Sequence, residues 1–396
     1  MNKEIQIIRN KERLGCILFE TGLILELLIM MTDAASWTLP YRGRITQVAF
    51  GLFVLKILMT KYNVRQCVLA GIAGLIGVAS YLTCREEYVI RAVVFVIAAI
   101  GIDMELTIRI IFYGMLICTL AIVILALAGI RGQIKDVRDY GRGTIEARYN
   151  LGFNHANNVH SVVWYLCALL IMRYRERMKI LYYVIMGLFS AVLYFFTLSR
   201  TGLMASMMII VLAVLAKITE RNGNAKDSKD HSDQGSDRVM TAANEGFGVT
   251  DVLMMIASIS ALTVSMVITI RSAIEFPYKS DIMIKLDQLL TGRVEMVWEH
   301  APLAMWKVFP SGQTAEYVDN GFASIAYDYG YIVLGLLIAS IVYAAVKLFK
   351  SRDIYGQIIL LSVIMLVFME STFVFNVSLL CNMLLIVYMY MENERT

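Results

Sequence analysis

From residue 14 to residue 391 the chain is a succession of long apolar runs separated by short polar intervals. Twelve runs read as spans: 14–31, 45–60, 66–84, 88–102, 108–130, 155–172, 180–198, 201–217, 251–270, 325–347, 354–369 and 371–391. About 20 apolar residues in a helix cross a hydrocarbon core of ~30 Å, and few of these runs have the amphipathic spacing of a surface helix. The pattern predicts an all-α polytopic membrane protein with about 12 transmembrane helices, forming a single integral membrane domain over 1–396. The dense basic intervals are Lys3 to Arg13, Lys61 with Arg65, Arg173 to Lys179, Lys217 to Arg238, and Lys347 to Arg352. They fall on one side of this alternation, and the positive-inside bias makes that side, with both termini, cytoplasmic.

Two intervals break the rhythm. Residues 218–250 are rich in Gly, Ser, Asp and Lys, the composition of a flexible cytoplasmic linker. Residues 271–324 hold Pro277, Pro302 and Pro310 together with Trp298 and Trp306, which predicts a large extracytoplasmic loop that is folded. Within it Ile282, Leu286, Leu289, Leu290, Val294 and Val297 recur at helical spacing over 282–307, as in a lid or platform on the membrane surface.

Composition agrees with this reading and removes several alternatives. Hydrophobic residues make up 58% and charged residues 17%, against about 25% charged in soluble proteins. The net charge of +4 is spread over many loops, so no nucleic-acid partner is expected. The six cysteines form no Cys-x-x-Cys pair, which leaves neither a disulfide framework nor a zinc site. His155 and His160 stand five apart and share no helix face closely, so no metal and no cofactor is expected there. The basic N-terminus runs into the first span without a small-residue cleavage site, so that span is expected to remain as an anchor.

Charge placement then singles out particular residues. Arg200 is the only charged side chain in the 37 residues from Ile180 to Ala216. As one helix that run would be about 55 Å long, so it must fold back, and Leu198-Ser-Arg-Thr-Gly202 is the turn-permitting sequence. The basic flanks put both outer ends inside and Arg200 outside, at the membrane boundary, where an arginine is generally paired or functional. By the same argument Glu370, the only charge from Ile354 to Met391, lies at an outer turn and is a candidate partner for Arg200. The two either clamp a pair of hairpins or face one reaction site. A planar guanidinium suits bidentate binding of phosphate. The stretch from Arg148 to Asn158 adds an arginine, Asn154, His155 and further amides at the mouth of a span, a density of hydrogen-bonding groups that fits a sugar or phosphate better than lipid. Arg293 and, two turns later, His300 lie in the large loop, and Asp319-Asn320 near its end.

These residues also form an ordered set of motifs. They are Arg148-x-x-x-Gly-Phe-Asn-His-Ala-Asn157, Ser199-Arg-Thr-Gly202 opening a span, and Gly292-Arg293 with Trp298 in a late outer loop. Phe309-Pro-Ser-Gly312, Val318-Asp-Asn-Gly-Phe322 and Tyr329-Gly-Tyr331 follow. Over about 145–345 the chain resembles the O-antigen ligase and polymerase superfamily, particularly the Wzy-type polysaccharide polymerases. The resemblance implies an inverting glycosyltransferase of the bacterial cytoplasmic membrane. Such an enzyme joins oligosaccharide repeat units carried on undecaprenyl pyrophosphate at the outer face, without metal or nucleotide sugar, in company with a flippase and a chain-length regulator. It implies Arg148, Arg200 and Arg293 as pyrophosphate ligands, with Asn154, His155 and Asn320 beside them. His300, Asp319 and Glu370 are the candidate bases, in no fixed order. Ligases of the superfamily carry a histidine near the end of the large loop, where this chain has Asp319-Asn320, which favours polymerase over ligase. From another class, a secondary transporter would suit twelve spans. However, no proline interrupts a span and the two halves are not evidently similar.

Overall fold

The computed structural model describes residues 3–35, 37–139, 145–175, 177–230, 248–275, 280–310 and 318–371. It contains α1 (Lys3–Ala34), α2 (Arg42–Met59), α3 (Val64–Cys84), α4 (Tyr88–Ala98), α5 (Met104–Leu127), and strands β1 (Lys135–Asp139) and β2 (Ile145–Tyr149). These are followed by α6 (Ala156–Tyr174), α7 (Ile180–Thr197), α8 (Arg200–Asp230), α9 (Val249–Ile274), α10 (Asp281–Leu290), α11 (Arg293–His300), α12 (Gly321–Asp328), α13 (Tyr331–Lys350) and α14 (Ile354–Met369). The protein is a helical, polytopic membrane protein. Among the described residues, seven helices are long and apolar enough to cross a bilayer: α1, α3, α5, α7, α8, α9 and α13.

The remaining expected spans depart from that length and composition for local reasons. Three basic residues interrupt the 18 residues of α2. The 11-residue α4 and 16-residue α14 are short. In α6 the first two turns are polar, with Asn157, Asn158, His160 and Ser161. Both α6 and α14 are enclosed: α14 packs against α6, α8, α9, α12 and α13, and α6 against α5, α7, α8 and α14. A helix with no lipid face has no need of an all-apolar surface. The lipid-facing character lies instead on helices such as α3 and α7, where Leu69, Leu75, Leu181 and Phe195 are exposed. The expected span 371–391 lies outside the described residues apart from Ser371.

Between α5 and α6 the chain forms an antiparallel two-stranded ribbon with Lys135 opposite Tyr149. Three features differ from the sequence expectations. The expected linker at 218–250 starts later, because α8, once nucleated, runs on through Asp230; residues 231–247 lie outside the described residues. The expected span 325–347 is split in two at Gly330. That residue has φ +92°, and a Cβ there would sit 2.2 Å from the Val308 carbonyl oxygen, while the Tyr331 N–H donates to Lys307 O at 3.0 Å. The loop thus presses against the backbone where only glycine fits. The helix expected over 282–307 is likewise broken, at Thr291-Gly292, both left-handed, and Asp287 caps the new helix α11 by accepting the Val294 and Glu295 N–H groups at 2.9 Å.

Packing in the first half centres on Phe19, Phe53 and Phe95, whose ring centroids lie 5.2–5.5 Å apart and join α1, α2 and α4. At one end of the bundle the C-termini of α1, α7, α9 and α14 and the N-termini of α6, α8 and α12 come together with the loop helices α10 and α11. Hydrogen bonds from Asn154, Asn157, Arg293 and Asn320 tie that end together.

Candidate functional site

The sharp turn between α7 and α8 carries Arg200. Leu198 adopts a left-handed conformation (φ 51°), with its N–H on Tyr194 O at 2.8 Å, so α7 stops and α8 starts within two residues. Below the turn, Thr197 Oγ1 donates to Leu193 O at 3.0 Å and accepts the Ser199 N–H at 3.4 Å. The fully buried His160 of α6 reaches Thr197 Oγ1 through Nδ1 at 3.3 Å and Ser190 Oγ through Nε2 at 2.9 Å. Gly202 lets α6 and α8 approach, since a Cβ there would lie 2.5 Å from the His160 Cβ. This well-packed base holds Arg200 as the first residue of α8, exposed and without a partner among the described residues.

Next to it lies a buried ionic cluster. Glu370 follows the last residue of α14 and is 3% exposed. Asn157 Nδ2, in the first turn of α6, donates to Glu370 Oε1 at 3.1 Å, and the Thr201 hydroxyl, in the first turn of α8, lies close enough to favour the charged carboxylate. A carboxylate at the N-terminal turns of two helices faces the positive ends of both dipoles. Its arginine partner is Arg293, whose Nη2 is 3.3 Å from Glu370 Oε1 and 3.9 Å from Asp319 Oδ2. Arg293 also donates through Nε to Met369 O at 2.8 Å, and through Nη1 to Leu290 O at 3.0 Å and Thr291 Oγ1 at 3.3 Å. One side chain thereby caps the C-terminal carbonyls of α10 and α14 while pairing with two carboxylates. Burial pushes the Glu370 carboxyl up to about 7, the Asp319 charge adds to the rise, and the Arg293 guanidinium and the hydrogen bonds from Thr201 and Asn157 oppose it. Asp319 is the more open of the two carboxylates and its N–H rests on Met296 Sδ at 3.2 Å.

Of the residues expected from sequence, Arg293, Asp319 and Glu370 meet in this cluster, and Arg200 borders it through Thr201. The expected Arg200–Glu370 pair is not formed, because the loop brings Arg293 over the end of α14 first. Asn320 adjoins the cluster but is occupied structurally: it caps α12 by accepting the Ala323 N–H at 3.0 Å and donates to Thr269 Oγ1 of α9 at 3.0 Å. Arg148 is buried on β2 against Glu146, with bonds of 3.1 and 2.8 Å to Oε2. His155 caps α6 through Nδ1, which accepts the Asn157 N–H at 3.1 Å. Asn154 is tied to the end of α1 by its N–H on Ala34 O at 2.9 Å. His300 ends α11, exposed, about 10 Å along the helix axis from Arg293.

Asn157, Thr201 and His160 are the contributors that sequence reasoning left without a role. Their only signal was polarity at the mouths of α6 and α8, since the rotation that aims one amide at Glu370 is set by packing. Chemically, the site offers, among the described residues, an unpaired cation at Arg200, a satisfied guanidinium at Arg293, and two carboxylates of unequal burial. No protein-family model, curated protein or solved structure matches this chain.

Proposed function

We propose that the protein is a polysaccharide polymerase, an inverting membrane glycosyltransferase that joins oligosaccharide repeat units linked to undecaprenyl pyrophosphate at the outer face of the bacterial cytoplasmic membrane. The observation that carries this reading is Arg200: a guanidinium held exposed by a tight turn and without a partner among the described residues, beside a carboxylate pair at the same end of the bundle. A lipid-linked pyrophosphate presents its charge at that boundary, and the fork of arginine matches it.

In the proposed reaction an acceptor hydroxyl oxygen attacks the anomeric carbon of the donor sugar. The bond from that carbon to the pyrophosphate oxygen breaks, its electron pair leaving with the pyrophosphate. Arg200 neutralises the charge that grows on the leaving group. The hydroxyl proton passes to a carboxylate, and Asp319 is assigned that role because it is the more open of the two. Arg293, with every donor engaged inside the chain, holds Asp319 and Glu370 in place.

The test is chain extension in cells carrying Arg200→Ala or Arg200→Lys. Losing a preorganised charge contact costs about 10²–10³ in rate, so long polymer is expected to disappear from Arg200→Ala cells, lipid-linked single repeats to accumulate, and the protein to remain at its usual level. Lysine keeps the charge but not the fork and restores only part of the extension. Wild-type amounts of long polymer from Arg200→Ala would overturn the assignment.

A further inference from the structure

Beside the α6 mouth, at the junction of α1 and α2, lies an open cleft of about 450 Å³ lined by Asp33, Trp37, Thr38, Leu39 and Arg42. Its size falls within the range of small-molecule sites, about 300–1,000 Å³, and its chemistry is not that of a lipid contact. Arg42 forks onto Asp33, with Nη2 to Oδ2 at 2.6 Å and Nε to Oδ1 at 3.0 Å, and both side chains stay partly open to solvent. Trp37 is anchored by its N–H on Thr32 O at 2.8 Å and carries the Arg131 guanidinium 5.1 Å from its ring centre. The indole Nε1–H is buried and has no partner among the described residues.

We infer that this cleft is a pyranose-binding subsite, with Trp37 and the planar Asp33–Arg42 pair as its recognition elements. A sugar ring presents an apolar C–H face and a rim of hydroxyls that both donate and accept. The aromatic ring takes the face, the Asp33 carboxylate accepts from hydroxyls, and the Arg42 N–H groups donate to them. A bare phosphate fits less well, because the Asp33 carboxylate on the wall repels it.

Position gives the cleft its role, which rests on the polymerase reading. Asn154 Nδ2 donates to Asp33 O at 3.4 Å, and Asn157, three residues later, holds Glu370. The contact with the cleft wall and the clamp on the ionic cluster are thus three residues apart, on the stretch that leads into α6. A repeat unit whose reacting end lies at Arg200 and Asp319 has its next sugars at hand for this cleft, which then selects the repeat.

The experiment uses the full chain in lipid nanodiscs and saturation-transfer NMR with four probes: the methyl pyranosides of glucose, galactose, N-acetylglucosamine and glucuronic acid. At least one is expected to receive saturation from wild type and equally from Arg200→Ala. Trp37→Ala is expected to weaken it at least tenfold, with Trp37→Phe, which keeps a ring but no N–H, in between. Circular dichroism of Trp37→Phe checks that the comparison is made on folded protein. Absence of binding by all four probes to wild type overturns the proposal, as do undiminished binding to both Trp37 variants and displacement of the sugar by inorganic phosphate. Sugar binding needs no polymerisation: if Trp37-dependent binding holds while Arg200→Ala still makes long polymer, the polymerase reading fails and the cleft stands.

Discussion

Replacing Arg293 and Arg200 by alanine, one at a time, separates an arginine that builds the site from one that acts in it. Arg293 donates to Met369 O, Leu290 O, Thr291 Oγ1 and Glu370 Oε1 and faces Asp319. Its removal uncaps two helices and strands the buried Glu370 carboxylate. Hydrogen bonds to charged groups contribute about 1.5–3 kcal/mol each, and leaving one member of a buried pair without its partner costs about 3–5 kcal/mol. These terms share the same groups and do not add, so a loss of about 4 kcal/mol is expected for Arg293→Ala. Arg200 is exposed and without a partner among the described residues. Its removal should stay within about 0.5 kcal/mol of wild type. Thermal unfolding in nanodiscs at one fixed scan rate reads the difference, with a drop on the order of 5 °C for Arg293→Ala and below about 1 °C for Arg200→Ala. Both variants are expected to lose long polymer, the first through loss of folded protein and the second at normal protein levels. Equal destabilisation by the two substitutions, or an Arg293→Ala midpoint at the wild-type value, would refute the division of roles.

Two more substitutions probe the surroundings. The Glu370 carboxyl is raised from 4.5 to about 7, so the folded protein holds this proton more tightly than the unfolded chain. Wild-type stability therefore falls as pH rises from 4.5 to 7, by about 3 kcal/mol. Glu370→Gln lacks that loss, and its unfolding midpoint relative to wild type should climb between pH 4.5 and 7 and level off above; a gap that is constant or shrinks with pH contradicts the burial argument. Gly202→Ala places a Cβ 2.5 Å from the His160 Cβ and is expected to cost about 1–3 kcal/mol through overpacking. In a double-mutant cycle His160→Gly, which removes both the Cβ and the ring atom 2.7 Å away, should relieve part of that cost, whereas strict additivity of the two midpoint shifts would show that α6 and α8 do not meet there.

Span positions were legible because apolar run length answers directly to bilayer thickness. The expected runs at 180–198 and 201–217 became α7 and the start of α8, with the break at Leu198-Ser199 as the turn residues required. What the runs did not reveal was tertiary. Nothing local marks Tyr329-Gly330-Tyr331 as a helix break; the break exists because the chain at Lys307 and Val308 returns from far away and occupies the space. The 282–307 pattern had the correct period, but the left-handed Thr291-Gly292 pair turned its second half aside. At the site, the isolation of Arg200 and Glu370 in apolar runs marked both residues. Isolation gives no partner, however. Arg293 reaches Glu370 only because the loop folds back over the end of α14, and Arg200 is left without a partner among the described residues.

The freedom of Arg200 is a consequence of how the other charges are arranged. One guanidinium, Arg293, serves two carboxylates, and burial sets them apart, with Glu370 sealed under Asn157 and Thr201 and Asp319 toward the open side. Burial and the Asp319 charge favour the protonated form of Glu370, which leaves more of the ionic part of Arg293 to Asp319. The cluster is then close to neutral, and an anion approaching Arg200 meets one uncompensated positive charge. Were Arg200 itself paired with Glu370, as isolation in the sequence invited, the end of the bundle would hold two matched ion pairs and no attraction for a pyrophosphate. The loop arginine thus supplies the structural charge, which in the proposed reading leaves the turn arginine available for binding.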